Sequence, residues 1–393
     1  MSPSALQHPY KRRGVAGKDV IRYCDLLPSP LVFRSRVWRN IEGRRRIDNT
    51  NSADDRRLAE LRQWLAQFDG LADASVTPAS ADASFRRYFR VQTKSTSHIV
   101  MDAPPNREDC STFVRIAGYL EDMGLNGPRV LSADFAGGFL LLTDLGSRQY
   151  LDELKQRPEH SDMLYGDALA ALATMQERGR QFQSDLPPYD DTLLTFELSL
   201  FRDWLCVQHL GLDFTEEEGA WRSCVDLLVD NALRQPRVFV HRDYHSRNLM
   251  VTGENNPGIL DFQDAVEGPV TYDLVSLLKD CYIRWPVGRV LAWASDFHAA
   301  SLGKSHGVGD SADFIRAFEL MGVQRQLKAA GIFARLWLRD GKPSYLHDVP
   351  RTLGYVSEVA PRYPELASLA RLIDERCLPA LRGKAPADAV ARR

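Results

Sequence analysis

The sequence predicts a two-lobed α+β protein, with a small β-rich N-terminal lobe and a larger, mainly helical C-terminal lobe. Three observations carry this reading. Short apolar runs separated by turn residues crowd 75–143, helical periodicity dominates after Gly146, and one β-rich island at 237–262 interrupts the helices. The expected boundaries are a basic leader over 1–52, a first lobe over 53–145, a second over 146–380 and a tail over 381–393.

In chain order, Leu58, Leu61, Trp64, Leu65 and Phe68 recur at helical spacing behind Asp54 or Asp55 as a cap. Strand-like pieces follow at 75–79, 88–93 and 98–102, where Val91, Ile99, Val100 and Met101 supply the apolar character. A helix over 109–122 ends at Gly124, and strands over 129–134 and 139–143 flank the turn at Ala136-Gly137-Gly138. Beyond Gly146, helices are expected at 161–177, 192–209, 215–233, 272–283, 288–301, 311–330 and 362–376.

Composition narrows the function. Hydrophobic residues make up 44% and charged residues 26%, ordinary for a folded domain. No apolar run approaches the ~20 residues needed to cross a bilayer, and the start has no secretory pattern, so a cytoplasmic protein with no membrane partner is expected. Six scattered cysteines without CxxC spacing read as reduced, packed thiols. Residues 1–52 hold eleven Lys and Arg against four Asp and Glu, which leaves 39 basic against 48 acidic residues in the body. An acidic body argues against nucleic acid as the main partner, and the leader's composition reads as disordered.

The chemistry is concentrated in the island. After the apolar strand Val238-Phe239-Val240 comes His241-Arg242-Asp243-Tyr244-His245-Ser246-Arg247-Asn248, then a turn at Asn255-Asn256-Pro257-Gly258 and the closing run Ile259-Leu260-Asp261-Phe262. Asp243 can take a proton from an attacking hydroxyl or orient it. Asn248 and Asp261 can turn oxygens toward one cation. In-line phosphoryl transfer needs these parts: a carboxylate that positions the nucleophile and metal ions that neutralise phosphate charge. Magnesium suits such a set because it takes few protein oxygens and keeps waters and phosphates. An H-x-D-x-x-x-x-N loop with a downstream apolar-Asp-Phe is the catalytic-loop and metal-loop pair of eukaryotic-like kinases. The plain alternative makes the two aspartates loop carboxylates and Asn248 a turn former. It requires strand, spacing, hairpin and closing motif to coincide by accident. Gly303-Lys304-Ser305 is not a P-loop, because His298 stands where the leading glycine must be.

On these motifs the chain resembles the aminoglycoside phosphotransferase/choline kinase superfamily over about 75–380, with His245 two residues after Asp243 as is typical there. The resemblance implies a bilobal, protein-kinase-like fold, Asp243 as catalytic base, and Asn248 and Asp261 as Mg2+ ligands, with Asp264 a further candidate. ATP is then the co-substrate. Pro78 to Arg90, Val100 to Pro105, Met321 to Lys328 and Gly331 to Leu336 are similar to bacterial kinases of cell-wall recycling. Those enzymes phosphorylate N-acetylmuramate and N-acetylglucosamine at the anomeric hydroxyl, which implies a sugar 1-phosphate product and a small sugar as partner. A monomer is expected.

The chain departs from the wider kinase pattern in two places. The phosphate-covering loop has no glycines, reading Ser80-Ala81-Asp82-Ala83-Ser84-Phe85, where Ser84 adds a donor. Met101 and Asp102 stand where the third-strand lysine belongs. Arg86 or Arg87 is the expected replacement, since a guanidinium fork suits phosphate. Thr143, Asp144 and Leu145 are expected to reach the nucleotide base through their main chain. Substrate contacts are expected from His245, from Glu197 and Arg202 on one helix, and from Arg325 and Lys328 on another. An active sugar kinase, a kinase for another alcohol or an aminoglycoside antibiotic, and a nucleotide-binding pseudokinase all remain open on sequence.

Overall fold

The computed structural model describes residues 50–81, 86–301 and 308–384, with the side chains of 50–55 and 80–81 left out. Ser84, the leader up to residue 49, Gly303-Lys304-Ser305 and the tail beyond 384 lie outside the described residues. The chain divides into a unit over Met1–Arg57, described only from the start of helix α1 (Thr50–Leu65), and a unit over Leu58–Arg393 that carries everything below.

The larger unit opens with an antiparallel sheet of β1 (Ser75–Ala81), β2 (Arg87–Gln92), β3 (Ser97–Asp102), β4 (Val130–Asp134) and β5 (Phe139–Thr143), in the order β1-β2-β3-β5-β4. Helix α2 (Cys110–Asp122) is inserted between β3 and β4, and its cap Asp109 accepts from the Ser111 amide at 2.8 Å. The pleat separates two apolar layers. Met101, Leu140 and Leu142 pack toward the main core, whereas Phe89, Val91, Val100, Phe139 and Leu141 form a second cluster with Leu61, Trp64 and Leu65 of α1. Gly138, at φ 74, closes the β4–β5 hairpin where a Cβ would collide with the Ala103 carbonyl.

The rest is mainly helical: α3 (Tyr150–Gln156), α4 (Ser161–Arg178), α5 (Asp191–Leu200) continuing as π-helix to Leu210, and α6 (Glu218–Arg234). Two short pairs of strands then build the island, with β6 (Arg237–Val240) pairing β9 (Val266–Pro269) and β7 (Leu249–Met250) pairing β8 (Gly258–Ile259). Then come α7 (Tyr272–Leu278), α8 (Val287–Ser301), the long α9 (Ser311–Asp340), α10 (Val349–Val359), α11 (Ala367–Arg371) and α12 (Leu378–Gly383).

The expected strands of the first lobe are all present within two residues of their predicted ends. The sequence reading did not include α3, α10 or β9, and its helix over 362–376 is present from Pro364, running from one turn of 3-10 helix through α11 and a π-helical stretch over Leu372–Cys377 into α12, with a break at Tyr363. Helix α9 runs ten residues past the predicted 330 and ends at Gly341 in the left-handed conformation. It is the spine of the helical lobe, crossing α5 so closely at Gly331 that a Cβ would collide with the Leu200 carbonyl and the Phe201 amide.

Candidate active site

β6 is buried along Val238, Phe239 and Val240, and its pairing with β9 fixes where the chain leaves the sheet. The loop that follows is strained at its second residue. Arg242 has φ 77, a conformation costing a non-glycine residue on the order of 1 kcal/mol. Asp273, in the first turn of α7, holds it there: its carboxylate accepts from the amides of His241 (2.6 Å) and Arg242 (3.0 Å). The loop then folds on itself. The His245 amide donates to the Asp243 carbonyl (3.0 Å) and the Asn248 amide to the His245 carbonyl (2.9 Å). Ser246 is tied to Asp280 through its amide (2.9 Å) and hydroxyl (2.5 Å).

The hairpin brings Asp261 back to this loop. Asn248 Nδ2 donates to the Asp243 carbonyl (3.0 Å) and to Asp261 Oδ2 (3.3 Å), and Gln263 Nε2 donates to Asp261 Oδ1 (2.7 Å). Asp261 also has a left-handed backbone, at φ 62. The structure thus gathers Asp243, Asn248 and Asp261, with the Asn248 amide nitrogen turned toward the other two. Among the described residues no group of three or more His, Cys, Asp or Glu is placed to hold a metal. One carboxylate and one amide oxygen do not suit zinc, but they fit magnesium, which completes its shell with water and phosphate oxygens.

Charge around Asp243 is strongly positive. Burial alone would raise its carboxyl, yet His245, Lys328, Arg242 and Arg325 together hold it below the ordinary carboxylate range. Burial drives the His241 imidazole down to about 4, so it is neutral at pH 7, and its Nδ1 accepts from the Asp243 amide at 3.3 Å. Burial also lowers His245, whose ring lies edge-on to Tyr282 at 5.2 Å.

Glu197 of α5 collects the neighbouring cations. Its carboxylate accepts from Arg242 (2.5 Å), Lys328 (2.8 Å) and the Tyr189 hydroxyl, and lies 3.5 Å from Gln324 Nε2. Burial opposes its ionisation, but Lys328 and Arg242 outweigh it and keep its acidity above the ordinary. Glu197 therefore holds the side chain of the strained Arg242, while Asp273 holds its backbone amide.

A cavity of about 680 Å³ opens over these groups. One part is apolar, lined by Ile99, Leu142, Leu145, Met250 and Leu260; another is polar, lined by Asp243, His245, Arg247, Asn248, Asp261, Arg325 and Lys328. Arg325, Lys328, Ala329, Ile332 and Leu336 reach it from successive turns of α9, as their spacing along one helix face dictates.

Of the expected nucleotide residues, Thr143, Asp144 and Leu145 line the cavity. Thr143 Oγ1 accepts from the Arg129 amide (2.9 Å), and the Asp144 carboxylate accepts from Arg90 (2.7 Å), Ser97 (2.5 Å) and the Gly146 amide (2.9 Å). Their side chains are thus tied into the lobe. Arg86 and Arg87 do not line the cavity. Arg86 pairs with Glu108 (3.0 Å), just ahead of α2, and Arg87 pairs with its cross-strand neighbour Asp102 (2.5 Å). Asp102, at the position of the absent lysine, is matched by a cation from the adjacent strand. Of the expected substrate residues, His245, Arg325 and Lys328 line the cavity, whereas Glu197 lies behind it. Arg202 is away from it, paired with Asp203 (2.8 Å) and Glu218 (3.2 Å). Sequence reasoning missed Asp273 and Arg247. Arg247 lay inside the motif and was legible as a cation beside Asn248, but Asp273 gave no signal of its own.

Comparison with known proteins agrees with this geometry. The phosphotransferase enzyme family (APH) matches residues 75–310. The chain is 47% identical over 333 residues to the N-acetylmuramate/N-acetylglucosamine kinase of Pseudomonas aeruginosa, covering 82% of this chain and 97% of that protein. It is 41% identical over 325 residues to the protein of the same name from Neisseria meningitidis serogroup B, covering 81% and 96%. Among solved structures, the choline kinase LicA of Streptococcus pneumoniae shares the fold with a TM-score of 0.53 at 12% identity, over 77% of this chain and 99% of that one. Its two lobes are thus those of the protein-kinase-like choline kinases and aminoglycoside phosphotransferases, and by the family match together with the identity to full-length relatives the chain belongs to the phosphotransferase enzyme family.

Proposed function

We propose that this protein is an ATP-dependent kinase that phosphorylates N-acetylmuramate and N-acetylglucosamine on the anomeric hydroxyl, giving sugar 1-phosphates for peptidoglycan recycling. The observation that carries the reading is the near-complete coverage of the 47%-identical Pseudomonas aeruginosa kinase, together with Asp243, Asn248 and Asp261 at one end of a single cavity. The apolar part, between the sheet and Met250 and Leu260, receives adenine. The sugar occupies the polar part beside Asp243.

In this arrangement the Asp243 carboxylate accepts a hydrogen bond from the acceptor hydroxyl, orients it for in-line attack and takes up its proton. Asn248 and Asp261 would hold magnesium, which when bound supplies charge neutralisation at the nucleotide phosphates. Arg247, Arg325 and Lys328 line the same end. Three cations there oppose a polycationic aminoglycoside acceptor and favour a neutral or anionic sugar.

The test is ADP release from Mg2+-ATP with N-acetylmuramate, N-acetylglucosamine, glucose, choline and kanamycin, followed by phosphorus and proton NMR of the product. A 1-phosphate formed from both N-acetylated sugars is expected. Turnover confined to kanamycin or choline would overturn the substrate, and a phosphate on any other hydroxyl would overturn the regiochemistry.

A further inference from the structure

The cavity is lined, among the described residues, by four Lys and Arg side chains: Arg90, Arg247, Arg325 and Lys328. They are not equivalent. Arg90 is matched by Asp144 at 2.7 Å and Lys328 by Glu197 at 2.8 Å. Arg247 is half-buried, and its guanidinium stacks over the Tyr282 ring at 3.7 Å, where solvent and the π face share its charge. Arg325 differs. It is only 5% exposed, its Nη1 donates to the Cys281 thiol at 3.5 Å, and its Nε has no hydrogen-bond partner. Among the described residues no carboxylate forms an ion pair with it, although Asp243 lies near enough to feel its charge.

A buried guanidinium with an unmatched donor is costly unless something anionic completes it. Its planar fork is shaped for a carboxylate or phosphate. Two anions visit this cavity in the proposed reaction: the nucleotide phosphates and, for one of the two substrates, a carboxylate. N-acetylmuramate is N-acetylglucosamine carrying a lactic acid ether, ionised at neutral pH. Nothing else separates the two sugars. Arg325 projects into the cavity from α9, alongside Lys328 one turn on.

We infer that Arg325 is the specificity-determining residue that reads the lactyl carboxylate of N-acetylmuramate, while N-acetylglucosamine binds with water in that place. This rests on the proposed function. Cys281, its hydrogen-bond partner at 3.5 Å, holds the arginine's approach fixed.

The experiment compares the two sugars in one assay on wild type and on Arg325→Gln and Arg325→Lys. In wild type both sugars turn over; if neither does, the proposed function fails before the inference is reached. With that established, Arg325→Gln should raise the ratio of KM for N-acetylmuramate to KM for N-acetylglucosamine by roughly 10- to 100-fold, the loss of a charge-assisted pair. Arg325→Lys should recover part of the difference. Equal losses for both sugars would overturn the inference, because they would place Arg325 at the phosphoryl group or in support of Asp243. A second arm needs no variant and so survives a folding defect. Wild type is given N-acetylmuramate and its methyl ester. A KM for the ester more than about 10-fold higher supports the reading, and an unchanged KM overturns it.

Discussion

Asp273 fixes Arg242 in its left-handed conformation, one carboxylate oxygen accepting from the Arg242 amide at 3.0 Å and the other from the His241 amide at 2.6 Å. The loop of Asp243 is therefore set by a helix that starts 29 residues downstream of that aspartate, and neither segment alone determines where it stands.

Asp273→Asn tests the relationship. The amide keeps one acceptor oxygen and points an NH2 group at the second backbone donor, so one buried N–H loses its partner at about 1–3 kcal/mol. Displacing Asp243 by a fraction of an ångström to an ångström then lowers kcat by up to roughly 100-fold. KM for ATP should change less than kcat, because of the two groups proposed to hold magnesium only Asn248 lies in this loop. Thermal unfolding and steady-state kinetics read the two effects, and unchanged kcat in a destabilised variant would confine Asp273 to stability.

The loop's acid–base character gives a second expectation. Asp243 must be ionised to accept the hydroxyl proton, and its surrounding cations hold its acidity above the ordinary. As pH falls, the Asp243 carboxylate should therefore stay ionised until below the usual value of about 4. His241 adds no limb near 6.5, because burial has taken it down to about 4, and a limb near 7 would belong to Asp273, whose carboxyl burial raises to about 7. Asp243→Asn should lower kcat by about 100- to 10,000-fold with nucleotide affinity retained. Asp261→Asn should instead raise the magnesium concentration needed for half-maximal rate. An Asp261 variant with an unchanged magnesium titration would remove it from the metal site.

Much of this was legible in the sequence, and what was not has a common cause. The strand 139–143 reads itself, as an apolar run after two glycines. The Asp243-to-Asn248 spacing and the closing Ile-Leu-Asp-Phe are local patterns. Arg325 and Lys328 are three apart, so one helix face brings both to the cavity. The same geometry separates Glu197 from Arg202, which at five residues on stands well round the helix and pairs with Glu218 instead. Asp273 and the Glu197–Arg242 pair act across 31 and 45 residues. No periodicity announces such partners, since each becomes significant only when packing brings two segments together. Arg86 and Arg87 stand out in the sequence by their charge, and in the folded chain they pair with Glu108 and Asp102, partners 22 and 15 residues away.

Glu197→Gln should cost stability rather than chemistry alone. Removing the carboxylate leaves Arg242 and Lys328 as buried cations without their shared partner, worth about 3–5 kcal/mol. The pH dependence follows from the sign of its shift. The folded acidity is greater than the unfolded, so the stabilisation is present above the ordinary glutamate value of about 4.3 and fades as pH falls through the lower folded one. Wild type and variant should therefore differ most in denaturant midpoint at pH 7 and converge in acid. A gap that stays constant with pH would show that the charge is not what matters.

Lys279 lies outside the site and behaves in the opposite sense. It is 4% exposed, packed against the Phe318 ring at 4.9 Å, and burial lowers its ammonium to about 8 from 10.5. Its acidic neighbours are otherwise matched: Glu319 pairs with Arg362 (2.5 Å) and Glu358 with Arg284 (2.7 Å). At pH 7 the charged lysine therefore costs the fold up to about 3 kcal/mol. Between pH 8 and 10.5 the unfolded chain holds a proton that the folded one has released, so stability contributed by this residue rises with pH across that window. Lys279→Met should be more stable than wild type by about 1–3 kcal/mol at pH 7, with the advantage shrinking toward pH 10. Denaturant melts of both proteins at pH 7, 8, 9 and 10 measure it. A variant less stable than wild type at pH 7 would mean that the cation–π contact and the two carboxylates already more than offset the burial.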